Sequence, residues 1–296
     1  MVPALTATAN GSSPAARSED VNFADYGEQL TRQSRALKVW LGVRTFGLAA
    51  IRAEVDRALD AVADLCAEQG IWLHADAAYG GFATLSPRGR ALLAGLGRCD
   101  SVALDPHKWL YVPFECGCLL AREPERLRAA FQILPDYLSD VAARTGQVNF
   151  ADYGEQLTRQ SRALKVWLGV RYFGLAALRA EVERAIDLAE HAERLVRAAP
   201  GLEVMAPAQL GVLCFRVRPR DVDDPAALDR LNERVNVAVN ATGRHLVSST
   251  RLRGTFTLRL CVLGYRTTAD DVESLVREVI DAGRRLLDGA AADAGG

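Results

Sequence analysis

The sequence predicts an α/β protein: part of a large domain built on a mostly parallel sheet with helices, followed by a small C-terminal α+β domain. Three observations carry this. Short apolar strands alternate with helical segments between 61 and 190, the pattern of a parallel sheet. From 191 to 296, four strand-like runs and two amphipathic helices fill roughly one hundred residues, a common domain size. Ahead of both, residues 21–60 read as a helical segment that duplicates 148–187.

Taken in order, residues 61–69 continue a helix that Gly70 ends, as a C-terminal glycine does. An apolar run at 71–74 opens into Asp76-Ala77-Ala78-Tyr79-Gly80-Gly81, a strand feeding a loop. Residues 88–97 read as a short helix. A second strand, 101–104, opens into Asp105-Pro106-His107-Lys108-Trp109. A third covers 117–121, and a helix follows over 123–130. The helix of the second copy runs on through 179–198 and stops at Pro200-Gly201, so the domain boundary falls within it. The tail has strands at 202–205, 211–217, 245–249 and 255–262, with helices at 224–241 and 268–287.

The 296 residues are 49% hydrophobic and 25% charged, enough to bury a sizeable core. The net charge is -1, with 36 basic residues interspersed among 37 acidic ones. Neither nucleic acid nor an anionic membrane surface is therefore expected as a partner. The six cysteines are scattered, and Cys116-Gly117-Cys118 lacks a second Cys or His pair at zinc-ligand spacing, so no metal is expected. Free thiols fit a reducing, cytoplasmic compartment. Residues 1–20 have no basic start and no long apolar run, and read as a disordered leader, not a signal peptide. No apolar run approaches membrane-spanning length.

The repeat is unusual. Of forty aligned positions in 21–60 and 148–187, only four differ: Thr45 against Tyr172, Ile51 against Leu178, Asp56 against Glu183 and Leu59 against Ile186. Solenoid repeats are divergent and contiguous. A single near-identical copy is the mark of a recent duplication, a recombination or an assembly artefact. Only one copy can fill the niche for which the helix evolved. A swapped dimer, with one chain's 21–60 in its partner's 148–187 niche, is one arrangement this permits.

Asp76 and Lys108 each follow an apolar strand, and ligands of open α/β sheets collect at carboxyl ends of strands. A loop salt bridge is the plain reading of such a pair. The flanks suggest more. Pro106 and Trp109 frame Lys108 in rigid, apolar surroundings whose desolvation would supply a neutral, reactive amine. Ala77, Ala78, Gly80 and Gly81 are small enough to let a flat ring approach the backbone. A carboxylate there can hold a pyridine nitrogen protonated.

HADAAYGG at 74–81 and DPHKW at 105–109 closely resemble the group II pyridoxal-phosphate-dependent amino-acid decarboxylases, the aromatic-L-amino-acid decarboxylase family. LPDYLSD at 134–140, RQSRALKVW at 159–167 and FTLRLCV at 256–262 extend the resemblance, which covers about 57–296. It implies part of a fold-type I large domain plus the small domain, a pyridoxal 5'-phosphate cofactor, and a homodimer with sites at the subunit interface. It also implies roles. Lys108 is the Schiff-base lysine, Asp76 the partner of the pyridinium nitrogen, and Ala78 packs on one ring face. His107 lies beside the lysine and the phosphate, and by the resemblance either it or Tyr137 returns a proton after carbon dioxide leaves. Tyr137 matches a mobile-loop tyrosine that protonates the α-carbon; aldehyde-forming relatives carry phenylalanine there. Arg259 matches a small-domain arginine near the substrate. Read without the family, Tyr137 is equally an anchoring aromatic, and Arg259 a surface or interface ion pair. The implied reaction converts an L-amino acid, aromatic by the resemblance, to its amine and carbon dioxide.

The chain departs from the family pattern upstream. The earliest histidine is His74, which leaves no ring-stacking histidine before the aspartate strand, and Asn10-Gly11-Ser12-Ser13 is a weak phosphate cradle. The chain alone is therefore expected to bind the cofactor weakly and to show little activity. A non-catalytic chain serving oligomerisation or interaction stands as the alternative.

Overall fold

The computed structural model describes residues 55–131, 148–156, 158 and 160–294. The leader at 1–20, residues 21–54 of the first copy, and Tyr137 with its 134–140 segment lie outside the described residues.

Helix α1 (Val55–Glu68) turns Leu59, Val62, Ala63 and Cys66 to one side, the i, i+3, i+4, i+7 spacing of an apolar face. Gly70 ends it with φ 59, a left-handed conformation suited to glycine. Strand β1 (His74–Asp76) begins later than the apolar run. Its neighbour β2 (Ser101–Leu104) offers no ladder partner before Ser101, which pairs with His74. Leu73 O still accepts from Asp100 N at 2.8 Å, and side chains hold other groups of the preceding residues. Asp100 Oδ2 accepts from Leu73 N at 2.7 Å, and Ser101 Oγ accepts from Trp72 Nε1 at 2.8 Å.

Between these strands lie a 3-10 turn (Gly81–Leu85) and helix α2 (Pro87–Leu92), whose buried N-cap Ser86 accepts from Gly89 N at 2.9 Å. The helix expected over 88–97 stops at Leu92, because Gly95 takes φ 84 and a separate 3-10 turn (Leu96–Arg98) follows. After β2 comes a one-turn helix, α3 (Pro106–Trp109), then β3 (Cys118–Ala121) and α4 (Pro124–Phe131). The sheet order is β1-β2-β3. The first pairing is parallel, as strand–helix alternation requires, and the second antiparallel.

Helix α5 (Arg162–Ala198) carries a break at Gly174, whose φ of 77 is closed to most side chains. Beyond it, Leu178, Val182, Ala185, Ala189, Ala192 and Val196 repeat at alternating four- and three-residue steps and are all buried. Leu178 packs with Leu110, Val112 and Cys116, and the rest pack on an antiparallel sheet of β4 (Leu202–Gln209), β5 (Val212–Val217), β7 (Thr255–Cys261) and β6 (Ser248–Leu252), in that order. Helices α6 (Pro225–Ala241) and α7 (Ala269–Ala294) complete the layer.

Strand β6 starts three residues later than the sequence suggests. Val247 is fully buried, but its N–H donates to Asn240 Oδ1 at 2.9 Å and its carbonyl accepts from Asn236 and Asn240. With its backbone satisfied by α6, the ladder begins only at Ser248, opposite Arg259. Trp109 and Ala83 belong to the same buried cluster as this C-terminal layer, so the Lys108 turn is anchored in it. Among the described residues no helix is long and apolar enough to cross a membrane.

Candidate active site

Because β1 and β2 run parallel, their last residues, Asp76 and Leu104, reach the same edge of the sheet. The loops beyond are tied by backbone hydrogen bonds: Ala77 N donates to Ala103 O at 3.0 Å, and Asp105 N donates to Ala78 O at 3.2 Å. The structure thus brings the two sequence motifs together. Asp76 is exposed, and its Oδ1 accepts from Ala78 N at 3.1 Å.

Lys108 sits on the single turn of α3, between Pro106 and Trp109, both buried. The desolvating pocket expected for it is not what surrounds its amine. The side chain is 31% exposed, and Nζ lies 2.7 Å from Asp105 Oδ2 as an ion pair. Residues three apart on a helical turn share a face, so the first turn delivers Asp105 to Lys108.

His107 is held from the other side. Its Nδ1 meets both backbone groups of Cys116, the carbonyl oxygen at 2.7 Å and the N–H at 3.0 Å, and Nε2 lies 3.7 Å from the same Asp105 oxygen. The Phe114 ring meets the imidazole edge-on at 5.0 Å. The loop behind, 113–116, is gripped by α5. Lys165 Nζ donates to Pro113 O at 3.3 Å and Glu115 O at 3.1 Å, and Arg162 pairs with Glu115. Part of the second copy therefore supports the histidine.

The glycines do other work than the sequence suggests. A methyl on Gly81 would lie 2.0 Å from Leu104 Cδ2, and one on Gly80 2.8 Å from Leu210 Cδ1. Leucines, not an open slot for a ring, occupy that space, so Ala77 and Ala78 are left as the small surface. Tyr79 turns away and meets the Trp109 ring edge-on at 5.5 Å. Burial pushes its phenol well above the ordinary tyrosine range, with neighbouring Cys261 adding to the effect. Arg259, on β7, places its guanidinium carbon 5.8 Å from the Tyr79 ring centre, so it faces this motif and not open surface.

Residues 57–218 match the family model described as the pyridoxal-dependent decarboxylase conserved domain. The chain belongs to the pyridoxal-dependent decarboxylase family. It is 38% identical over 222 residues to an aromatic-L-amino-acid decarboxylase of Bacillus atrophaeus, covering 75% of this chain and 46% of that protein. A tryptophan decarboxylase of Camptotheca acuminata is 33% identical over 228 residues, 76% of this chain and 46% of its own length. Among solved structures, Oryza sativa TDC with PLP and tryptamine superposes with a TM-score of 0.71 at 32% identity, covering 76% of this chain and 47% of that one. The Catharanthus roseus tryptophan decarboxylase in complex with L-tryptophan gives 0.68 at 29% identity, covering 77% and 47%. The chain spans about half the length of the relatives it matches.

The decarboxylase donor set fits pyridoxal phosphate at two of its ends. Asp76 keeps one carboxylate oxygen free of the Ala78 hydrogen bond and in solvent, where a ring nitrogen can reach it. Lys108 offers a partly exposed primary amine for the aldehyde end. Two residues escaped the sequence reading. Asp105 was legible from its i, i+3 spacing to Lys108. The Cys116 backbone was not, because nothing in the sequence shows where a loop nine residues away will fold.

Proposed function

We propose that this chain is the lysine-bearing portion of a pyridoxal-phosphate-dependent decarboxylase acting on an aromatic L-amino acid. The observation that carries the reading is the backbone-tied pair of loops holding Asp76 and Lys108 at one sheet edge. Residues 61–190 then form the second half of the cofactor-binding domain and 191–296 the small domain.

When bound, the cofactor supplies an electron sink for the carbon that loses carbon dioxide. The protein's residues orient and exchange protons. With the cofactor bound, Asp76 would hold a proton on the ring nitrogen, Ala78 would line a ring face, and Lys108 would be the amine that anchors it. His107, whose Nδ1 meets the Cys116 backbone, would lie beside the lysine and the phosphate. Tyr137 or His107 would return the proton to the α-carbon, and Arg259 would bind on the substrate side.

Association as a homodimer belongs to the same reading. It is supported by the apolar surface of α5, where Leu164, Trp167, Leu168 and Tyr172 are all at least half exposed. A cytoplasmic location is supported by six cysteines that are all free thiols.

The test is incubation with excess pyridoxal phosphate, borohydride reduction and peptide mass spectrometry, alongside assay of amine release from tryptophan, tyrosine and phenylalanine. A substoichiometric reduced adduct on Lys108, formed only at high pyridoxal phosphate, and little amine production from this chain alone are expected. No adduct on Lys108 would overturn the reading and leave a non-catalytic interaction chain.

A further inference from the structure

We propose that Asp105 is a positioning residue that holds the Lys108 amine in reserve as an ion pair until an aldehyde engages it. This rests on the decarboxylase reading, in which Lys108 is the reactive amine.

Lysine is scarce in this chain. Of its 36 basic residues only three are lysines, Lys38, Lys108 and Lys165. Lys165 is committed to the carbonyls of Pro113 and Glu115, a task a bare ammonium does well. Lys108 instead meets a carboxylate at 2.7 Å.

Asp105 is placed for that purpose. An aspartate at a helix N-cap ordinarily accepts from the N–H groups of the first turn. Asp105 makes no such side-chain hydrogen bond, since Lys108 N donates to its backbone carbonyl at 3.0 Å and His107 N to Cys116 O at 3.4 Å. The carboxylate is therefore free to face the amine. Its backbone cannot drift, being pinned to Ala78 O on one side and followed by buried Pro106 on the other. The pair is partly shielded, with side chains 31% and 22% exposed. An ammonium held in this way has no lone pair to offer, so the pair must open before the nitrogen can add to a carbonyl carbon.

The test needs no cofactor. The chain is treated with succinimidyl acetate, uncharged so that a lost carboxylate does not attract it, and acetylation of each lysine is followed by mass spectrometry. Asp105→Asn is expected to speed Lys108 labelling about threefold, the scale of a partly exposed ion pair. Added salt should quicken labelling in the wild type and leave the Asn variant unchanged, because only the former has a pair to screen. Asp105→Glu should restore slow labelling. The Lys165 rate is the internal standard for an intact fold. Equal Lys108 rates in wild type and Asp105→Asn, with Lys165 unchanged, would overturn the proposal. A threefold difference with no pyridoxal phosphate trapped on Lys108 would support the ion pair and overturn the proposed function.

Discussion

The guanidinium of Arg259 stands over the ring of Tyr79, 5.8 Å from its centre, and so joins the C-terminal sheet to the loop that follows Asp76. One hundred and eighty positions of chain separate the two. A cation over an aromatic face contributes about 0.5–1 kcal/mol where water has access. Arg259→Leu and Tyr79→Leu should each destabilise the protein, and the double-mutant cycle in urea should return a coupling of about that size. A coupling of zero would mean that the contact carries no energy.

Lys165 holds the loop that holds His107. Replacing it by methionine removes two hydrogen bonds to Pro113 and Glu115 carbonyls while keeping an unbranched apolar stem. The expected cost is about 1 kcal/mol. The more telling readout is the Cys116 amide, which donates to His107 Nδ1 and should exchange faster with solvent in Lys165→Met.

Three glycines should respond differently to alanine. At Gly81 the new methyl would collide with Leu104 Cδ2 at 2.0 Å, a side chain with some freedom to yield. At Gly89 it would meet the Ala83 carbonyl oxygen at 2.0 Å, which is backbone and cannot. At Gly97 it would meet nothing within 4 Å. Gly89→Ala should cost the most, Gly81→Ala about 1–3 kcal/mol, and Gly97→Ala should fall within about 0.5 kcal/mol of wild type. Thermal unfolding ranks them.

Asn232 is fully buried in α6, where its amide bonds both backbone groups of Val217 at 2.8 and 2.9 Å and the Leu228 carbonyl at 2.9 Å. Asn232→Leu keeps the apolar face of the helix and strands those groups. Each buried group left unpaired costs about 1–3 kcal/mol, so a loss of about 3 kcal/mol is expected in chemical denaturation.

Asp271 gives the protein an acid-sensitive helix start. Its Oδ2 accepts from Thr268 N at 2.9 Å and Thr268 Oγ1 at 2.8 Å, and these bonds hold the carboxyl below the ordinary aspartate range. A lowered folded value means the stabilisation is full above the ordinary aspartate range and is lost as pH falls through the lowered one. Asp271→Asn should therefore melt earlier than wild type at neutral pH, and the gap should close in acid. A gap that persists at the acid end would contradict this.

What the sequence determined by itself lies within short spans. Strand β2 falls at 101–104 as expected, and Gly70 ends α1, because apolar runs and turn residues state their preference within a few positions. The motifs around Asp76 and Lys108 were legible for the same reason, and the family followed from them. Where tertiary partners compete with local preference, the sequence was not enough. Residues 71–73 are apolar enough for a strand, but the start of β2 denies them a ladder. At Val247 two asparagines of α6 take the backbone bonds a strand would have used. The glycines after Asp76 promised room, and Leu104 and Leu210 fill it. Lys108 was expected in an apolar pocket and instead faces Asp105 at 2.7 Å. The Cys116 amide on His107 and Arg259 on Tyr79 belong to the tertiary structure alone. Local sequence encodes backbone preference, whereas which groups meet across distant chain depends on how whole elements pack to bury their apolar faces and satisfy their hydrogen bonds.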